Sequence, residues 1–223
     1  MRCIDSKLGF GKTNKLGIFD IMWLYVFGGF TGFVCETLFH LLKYHEFVNK
    51  QGMLFGPFKP LYGFGAIVMF IIYRNVKRKK HSFVFLSGIV LGSVYEYFVS
   101  FFEEKFLGFN SWLYSDGPFV INGRVYIPYC LLWGFIILFF YLIIPCLKGL
   151  YRRLIHHRWF YWVSIVAFVF MLFNLMLTLF AVSRYVDRCN NVDARTFISR
   201  KVDSLYNDSF MRKRFPNIRA ARD

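Results

Sequence analysis

Apolar residues fall in five blocks that are long enough, or nearly so, to cross a bilayer as helices. They cover about residues 18–42, 58–73, 83–102, 127–147 and 160–182, with short polar and basic stretches between them. A transmembrane helix needs about 20 predominantly apolar residues. The second block is short and has Pro60 in its first turn, where proline fits; it reads as a thin span or a re-entrant element. The pattern predicts an all-α integral membrane protein of about five transmembrane helices. A basic N-terminus, 1–17, precedes a transmembrane region, 18–182, and a basic amphipathic tail, 183–223, follows it. The first apolar block exceeds a signal-peptide core and lacks a small-x-small cleavage site, so it is expected to stay as the first span.

Two shorter patterns add detail. Between the third and fourth blocks, Ser115-Asp116-Gly117-Pro118 and Asn122-Gly123 are turn signals, and Phe119-Val120-Ile121 and Arg124-Val125-Tyr126 flank the Asn-Gly pair. That arrangement predicts a small β-hairpin on the outer face. In the tail, Phe197, Ile198, Val202, Leu205 and Tyr206 recur at helical spacing, interleaved with Arg195, Arg200 and Lys201. The stretch suits a helix on an anionic lipid surface, or a short docking helix in a solvated tail.

Gly28–Gly32–Glu36 and Gly88–Gly92–Glu96 are matching stripes in the first and third blocks, each with its residues four apart on one helix face. The glycines are candidate helix-packing positions. An acid within an apolar span costs about 2.5–3.5 kcal/mol on insertion scales. Each stripe leads to an Asn/Gly turn and then a Pro-aromatic helix start: Asn49-Lys50-Gln51-Gly52 and Pro60-Leu61-Tyr62-Gly63, then Asn122-Gly123-Arg124, Pro128-Tyr129 and Trp133-Gly134. A parallel two-helix internal repeat would account for the match, with both acids converging at its interface.

Composition agrees with the lipid-solvated class: 57% of the 223 residues are hydrophobic and 22% aromatic, with thirty Phe. The net charge of +15 lies mostly between apolar blocks, which argues for juxtamembrane segments and against nucleic acid. Thirteen Lys/Arg flank the N-terminus and the second and fourth loops, against five in the first and third, so the N-terminus is expected in the cytoplasm. The tail carries ten Lys/Arg of its own and leaves its side open. The five cysteines show no paired spacing and read as small buried hydrophobes.

For Glu36 and Glu96 two readings stand. They form a cation, proton or polar-substrate site, or they serve structure, as internal ion pairs with Arg124 or Lys105 or as protonated acids bonding neighbouring helices. Trp112, Tyr114 and Asp116 with Asn122 and Arg124 read either as a binding cluster or as an aromatic belt on a hairpin. Tyr62 joins the candidate binding residues. His40 lies one turn after Glu36, but no second His is placed to join it, so no metal site is expected. Asn174 and Thr178 share a face with Ala167, Met171 and Ala181 and read as packing. Gly9-Phe-Gly11-Lys12-Thr13 lacks the first glycine of a phosphate-binding loop, and no catalytic set or cofactor motif is present.

The run Gly52-Met-Leu-Phe-Gly56-Pro57-Phe-Lys-Pro60-Leu-Tyr62-Gly63-Phe-Gly65 resembles the bacterial membrane family described as putative ABC transporter type IV permeases. Glu96-Tyr97, Trp112-Leu-Tyr114-Ser115, Asn122-Gly123-Arg124, Trp133-Gly134 and the tail element Phe210-Met-Arg-Lys-Arg-Phe215-Pro216-Asn217 are similar to that family as well. Leu113 and Gln51 stand where the family commonly has Asp and Arg. The resemblance implies a multi-pass transporter permease subunit of a bacterial cell membrane, partnered by a separate ATPase subunit or a second permease. Two other functions fit the residues: a membrane enzyme acting on a lipid or cell-wall intermediate, and a non-catalytic partner of another complex.

Overall fold

The structure is a computed structural model that describes residues 17–76, 79–114 and 117–220, with the backbone alone at Arg152, Arg219 and Ala220. Expectations for residues 1–16, Lys77, Arg78 and the Ser115-Asp116 turn lie outside the described residues. The elements are helices α1 (Ile18–Tyr44), α2 (Pro60–Val76) and α3 (His81–Phe102), which runs on into a π-helical turn (Glu103–Leu107). Strands β1 (Phe109–Asn110), β2 (Val120–Ile121) and β3 (Val125–Tyr126) follow. Helices α4 (Ile127–Leu154), α5 (Arg158–Cys189), α6 (Phe197–Leu205) and α7 (Asp208–Arg214) and strand β4 (Arg219–Ala220) complete the chain.

Four helices are long and apolar enough to cross a membrane: α1, α3 with its π turn, α4 and α5. The fifth apolar helix, α2, has 17 residues, about 25 Å at 1.5 Å per residue. Its start explains its length. The Lys59 amide donates to the Gly29 carbonyl, 3.1 Å away in the middle of α1. The chain therefore runs down beside α1 as a loop and becomes helical only part-way along it. The hairpin forms at the Asn-Gly pair: Asn122 and Gly123 take φ +51° and +69°, and Val120 and Ile121 pair antiparallel with Tyr126 and Val125. Those left-handed angles suit the tight turn that matches strand twist.

Helices α1 and α2 form one tight pair, and α3 and α4 form another. Glycine closes both. A Cβ on Gly92 would sit 2.5 Å from the Trp133 Cβ, and one on Gly32 would sit 2.2 Å from the Tyr62 Cγ. Gly28 and Gly88 lie against Ala66 and Ile137, while Gly63 and Gly134 receive Tyr25 and Phe85. Each contact in one pair thus has a counterpart in the other. The two pairs meet in a core of Leu24, Ala66, Met69, Phe70, Val84, Trp133, Ile137 and Phe140. Helix α5 packs on the outside, where Trp23 stacks on Phe160 with centroids 5.4 Å apart and donates to Ser164 at 3.0 Å.

The tail folds back. β4 pairs with β1, and Arg214 donates to the Met53 and Leu54 carbonyls, the former at 3.1 Å. These contacts put the tail at the end of the bundle that carries the 45–59 and 109–126 connections. One sequence expectation needs correction here. Among the described cysteines only Cys130 is buried, whereas Cys35, Cys146 and Cys189 are exposed on helix faces pointing away from the core.

Candidate functional site

The stripes bring their acids to the contact between the two helix pairs. In each pair the second glycine lets an aromatic ring lie flat against the backbone one turn before the acid, Tyr62 on Gly32 and Trp133 on Gly92. These rings then stack on each other across the pairs, with centroids 6.4 Å apart and planes 29° from parallel. Glu36 and Glu96 flank the stack, and both act electrostatically on Tyr62, as does Tyr114. The Tyr95 hydroxyl donates to the Leu61 carbonyl at 2.6 Å and ties α3 to the start of α2.

The acids have different partners. Glu36 forms an ion pair with Lys59 whose side chains are 25% and 18% exposed. Lys59 also lies over the Tyr62 ring and in the field of Glu103. Glu96 is buried and accepts two hydrogen bonds, from the Trp133 Nε1 at 2.8 Å and the Tyr114 hydroxyl at 3.0 Å. Burial, with the Glu96 charge adding to it, raises the Tyr114 phenol. Tyr114 also packs against Tyr126 and Tyr129, with centroids 6.0 and 5.8 Å away. One acid is therefore balanced by a cation, and the other by neutral donors.

Arg124 lies apart from both acids. Its guanidinium pairs with Glu104 at 2.8 Å, donates to the Ser100 hydroxyl at 3.3 Å and sits between the Tyr97 and Phe101 rings. This corrects the expectation that Arg124 or Lys105 closes the stripe acids: Lys105 approaches Glu104, and the internal ion pair is made by Lys59. Trp112 donates to the Arg124 carbonyl at 3.0 Å, and Asn122 donates to the Tyr97 hydroxyl at 3.0 Å, so both brace the hairpin. The candidates divide into two groups. Glu36, Tyr62, Glu96 and Tyr114 come together, while Arg124, Asn122 and Trp112 support the hairpin cap. His40 stacks on Tyr44 and contacts the Glu46 carbonyl, and no cluster of metal-ligating residues is found among the described residues.

Three participants were not singled out from the sequence: Lys59, Glu103 and the Trp133 indole N–H. Lys59 had a visible signal, a lysine between two prolines at the mouth of an apolar block. Glu103 is held by its Oε2 to the Ser111 amide at 3.1 Å in the π-helical turn, a backbone feature that no residue pattern announced. Asn174 and Thr178 do more than pack. Asn174 accepts from the Phe55 amide at 3.1 Å and donates to its carbonyl at 2.6 Å, and Thr178 accepts from the Leu54 amide at 3.0 Å. They satisfy loop backbone that hydrocarbon could not.

A comparison with curated proteins and one with solved structures each return no match. The family described as putative ABC-transporter type IV matches residues 23–179, a stretch holding both stripes, the Gly56–Gly63 run, the hairpin and Trp133. The four membrane-length helices, the stripe packing and that match over most of the chain agree: this multi-pass membrane protein belongs to the ABC-transporter type IV family.

Proposed function

We propose that the chain is the membrane-embedded permease subunit of an ATP-driven transporter in a bacterial cell membrane, and that the contact between its two helix pairs is the polar-solute site. One observation carries this reading: Glu36, Lys59, Tyr62, Glu96 and Tyr114 gather where the Tyr62 and Trp133 rings stack, inside an otherwise apolar bundle. Ionisable groups within a membrane are costly and mark solute or ion paths by default. The one-to-one contacts of the helix pairs support reading them as a parallel duplicated unit, and repeat interfaces are where such folds bind solute. Glu36 and Glu96 are the groups that meet the solute. Lys59 holds one and Tyr114 the other. Described residues include no nucleotide-hydrolysing motif, so a separate ATPase supplies the energy. Its contact is the basic end formed by the last turns of α4 and the 155–157 turn, where Arg153, His156, His157 and Arg158 are exposed.

The enzyme reading calls for a cation free to hold a phosphate, and Arg124 is already engaged by Glu104, Ser100 and two rings. Gentle purification from native membranes, together with an uptake assay of Glu36→Gln and Glu96→Gln, tests the proposal. A co-purifying ATPase is expected, with uptake falling by about tenfold or more in either variant, the loss from removing one buried charged hydrogen bond of about 1.5–3 kcal/mol. Normal uptake in both variants, each correctly folded, overturns the site. Absence of any ATPase partner overturns the subunit role.

A further inference from the structure

The tail helix α6 carries its most hydrophobic residues on the wrong side for a docking helix. Its packed face is Ser199, Val202 and Asp203. Val202 shares a buried cluster with Ala181, Val182, Tyr185 and Val186 of α5, and Asp203 receives Arg184 at 2.7 Å as well as Arg188. Phe197, Ile198 and Leu205 are 78%, 65% and 58% exposed. At 100° per residue these three fall within one third of the helix circumference, with Lys201 among them. A nine-residue helix that needed only to dock would turn Phe197 inward rather than Ser199.

The helix is fixed in this orientation. Thr196 caps it by accepting from the Ser199 amide at 3.1 Å. Arg184 grips Asp203 through two nitrogens, at 3.2 and 2.7 Å, and Arg188 binds both Asp203 and Asp208. The same pairs consume the acids of the span end, since Asp187 is also bound by Arg184 at 2.9 Å. Arg195, Arg200 and Lys201 are exposed, and Asp193 is the one other acid between residues 190 and 206. An exposed apolar strip is thus flanked by cations.

Its height along α5 selects the surroundings. At 1.5 Å per residue the 32 residues of α5 span about 48 Å, against about 30 Å of hydrocarbon. Helix α6 packs beside residues 181–186, where the apolar run gives way to Arg184. That is the level of the headgroups, where an amphipathic helix with a basic flank lies in the interface plane.

We propose that α6 is an interfacial anchor: Phe197, Ile198 and Leu205 enter the acyl boundary of the leaflet on the tail's side, while Arg195, Arg200 and Lys201 bind the phosphates of anionic lipids. The inference is independent of the transported solute and of the site at Glu36 and Glu96.

The test uses the full chain in nanodiscs of phosphatidylcholine alone or with phosphatidylglycerol. Amide hydrogen exchange across 197–205 of the unaltered protein is expected to slow in the anionic discs. Arg195→Gln, Arg200→Gln and Lys201→Gln together are expected to remove that difference, about fivefold per cation, equivalent to about 1 kcal/mol each near an anionic surface. A nitroxide at Phe197→Cys in a cysteine-free background is expected to collide with oxygen and be shielded from a water-soluble nickel chelate. One at Asn190→Cys, exposed at the end of α5, should show the reverse. Equal exchange in both lipids overturns the anionic-lipid contact. Free access of nickel to position 197, or shielding from both reagents as in a protein–protein contact, overturns the anchor itself.

Discussion

Lys59 and Glu36 are the residues whose pairing most changes the reading of the site. Removing one partner of a buried pair leaves the other charge uncompensated, at about 3–5 kcal/mol when burial is complete. Here both side chains keep some exposure. We therefore expect Lys59→Met or Glu36→Gln alone to destabilise by about 2–3 kcal/mol in detergent thermal unfolding, and the double variant to recover most of that loss. If the double variant loses the sum of the two, the pair is not coupled. Trp133→Phe keeps the ring on Gly92 but removes one of the two donors to Glu96. It should cost about 1.5–3 kcal/mol, as for hydrogen bonds to charged groups. The acids themselves were legible from the stripes, because a carboxylate in an apolar block is rare. Their partners were not. Lys59 is 23 positions from Glu36 and Trp133 is 37 from Glu96, and nothing in a local pattern ties such distant residues together.

At the scale of elements, the loop before α2 is the least self-sufficient part of the fold. Its backbone relies on Asn174 and Thr178 of α5 and on Arg214 of α7. Asn174→Leu leaves the Phe55 amide and carbonyl without their partner, at about 1–3 kcal/mol for each group. Faster hydrogen exchange at 53–58, with α3 and α4 unaffected, is the expected signature. Exchange unchanged there would mean that water or other groups satisfy the loop. The tail helix has a pH dependence of known sign. Arg184 bonding, with Arg188 adding to it, holds the Asp203 carboxyl below the usual carboxylate value of 3.8. A depressed carboxylate contributes stability that is fully present above its unfolded value and is lost as pH falls through its folded one. Tail docking should therefore hold from neutral pH to about 4 and fail only below that, as read by exchange at Val202. Release well above pH 4 would show that Asp203 is not the group that matters.

For the whole molecule, the tail's contacts fix the end of the bundle that it occupies. The β1–β4 pairing and the Arg214 bonds hold the tail at the end opposite the end of α2 and the 155–157 connection, which is consistent with α2 acting as a full crossing despite its length. On the tail's side Lys59, Arg124, Arg184, Arg188 and Arg214 are all engaged by carboxylates or backbone carbonyls. Arg195, Arg200 and Lys201 stay exposed on that side; we propose that the basic flanks adjoining the spans at the other end set orientation, with those flanks in the cytoplasm. Membrane-impermeant thiol labelling of intact cells should modify the exposed Cys189 from outside and leave Cys146 protected. Labelling with the opposite preference would invert the protein.

The sequence alone determined the five apolar helices, the hairpin at Asn122-Gly123 and the positions of the glycine–acid stripes. These are set by residues a few places apart, through the length of an apolar run, the left-handed angles of a turn or the spacing of one helix face. Only the tertiary structure decided which group neutralises each acid and why α2 begins half-way along α1. It also decided which side of the tail helix is left outside. Those outcomes depend on backbone polar groups and charges finding partners in a medium that supplies none, and the partners come from elements far apart in the chain.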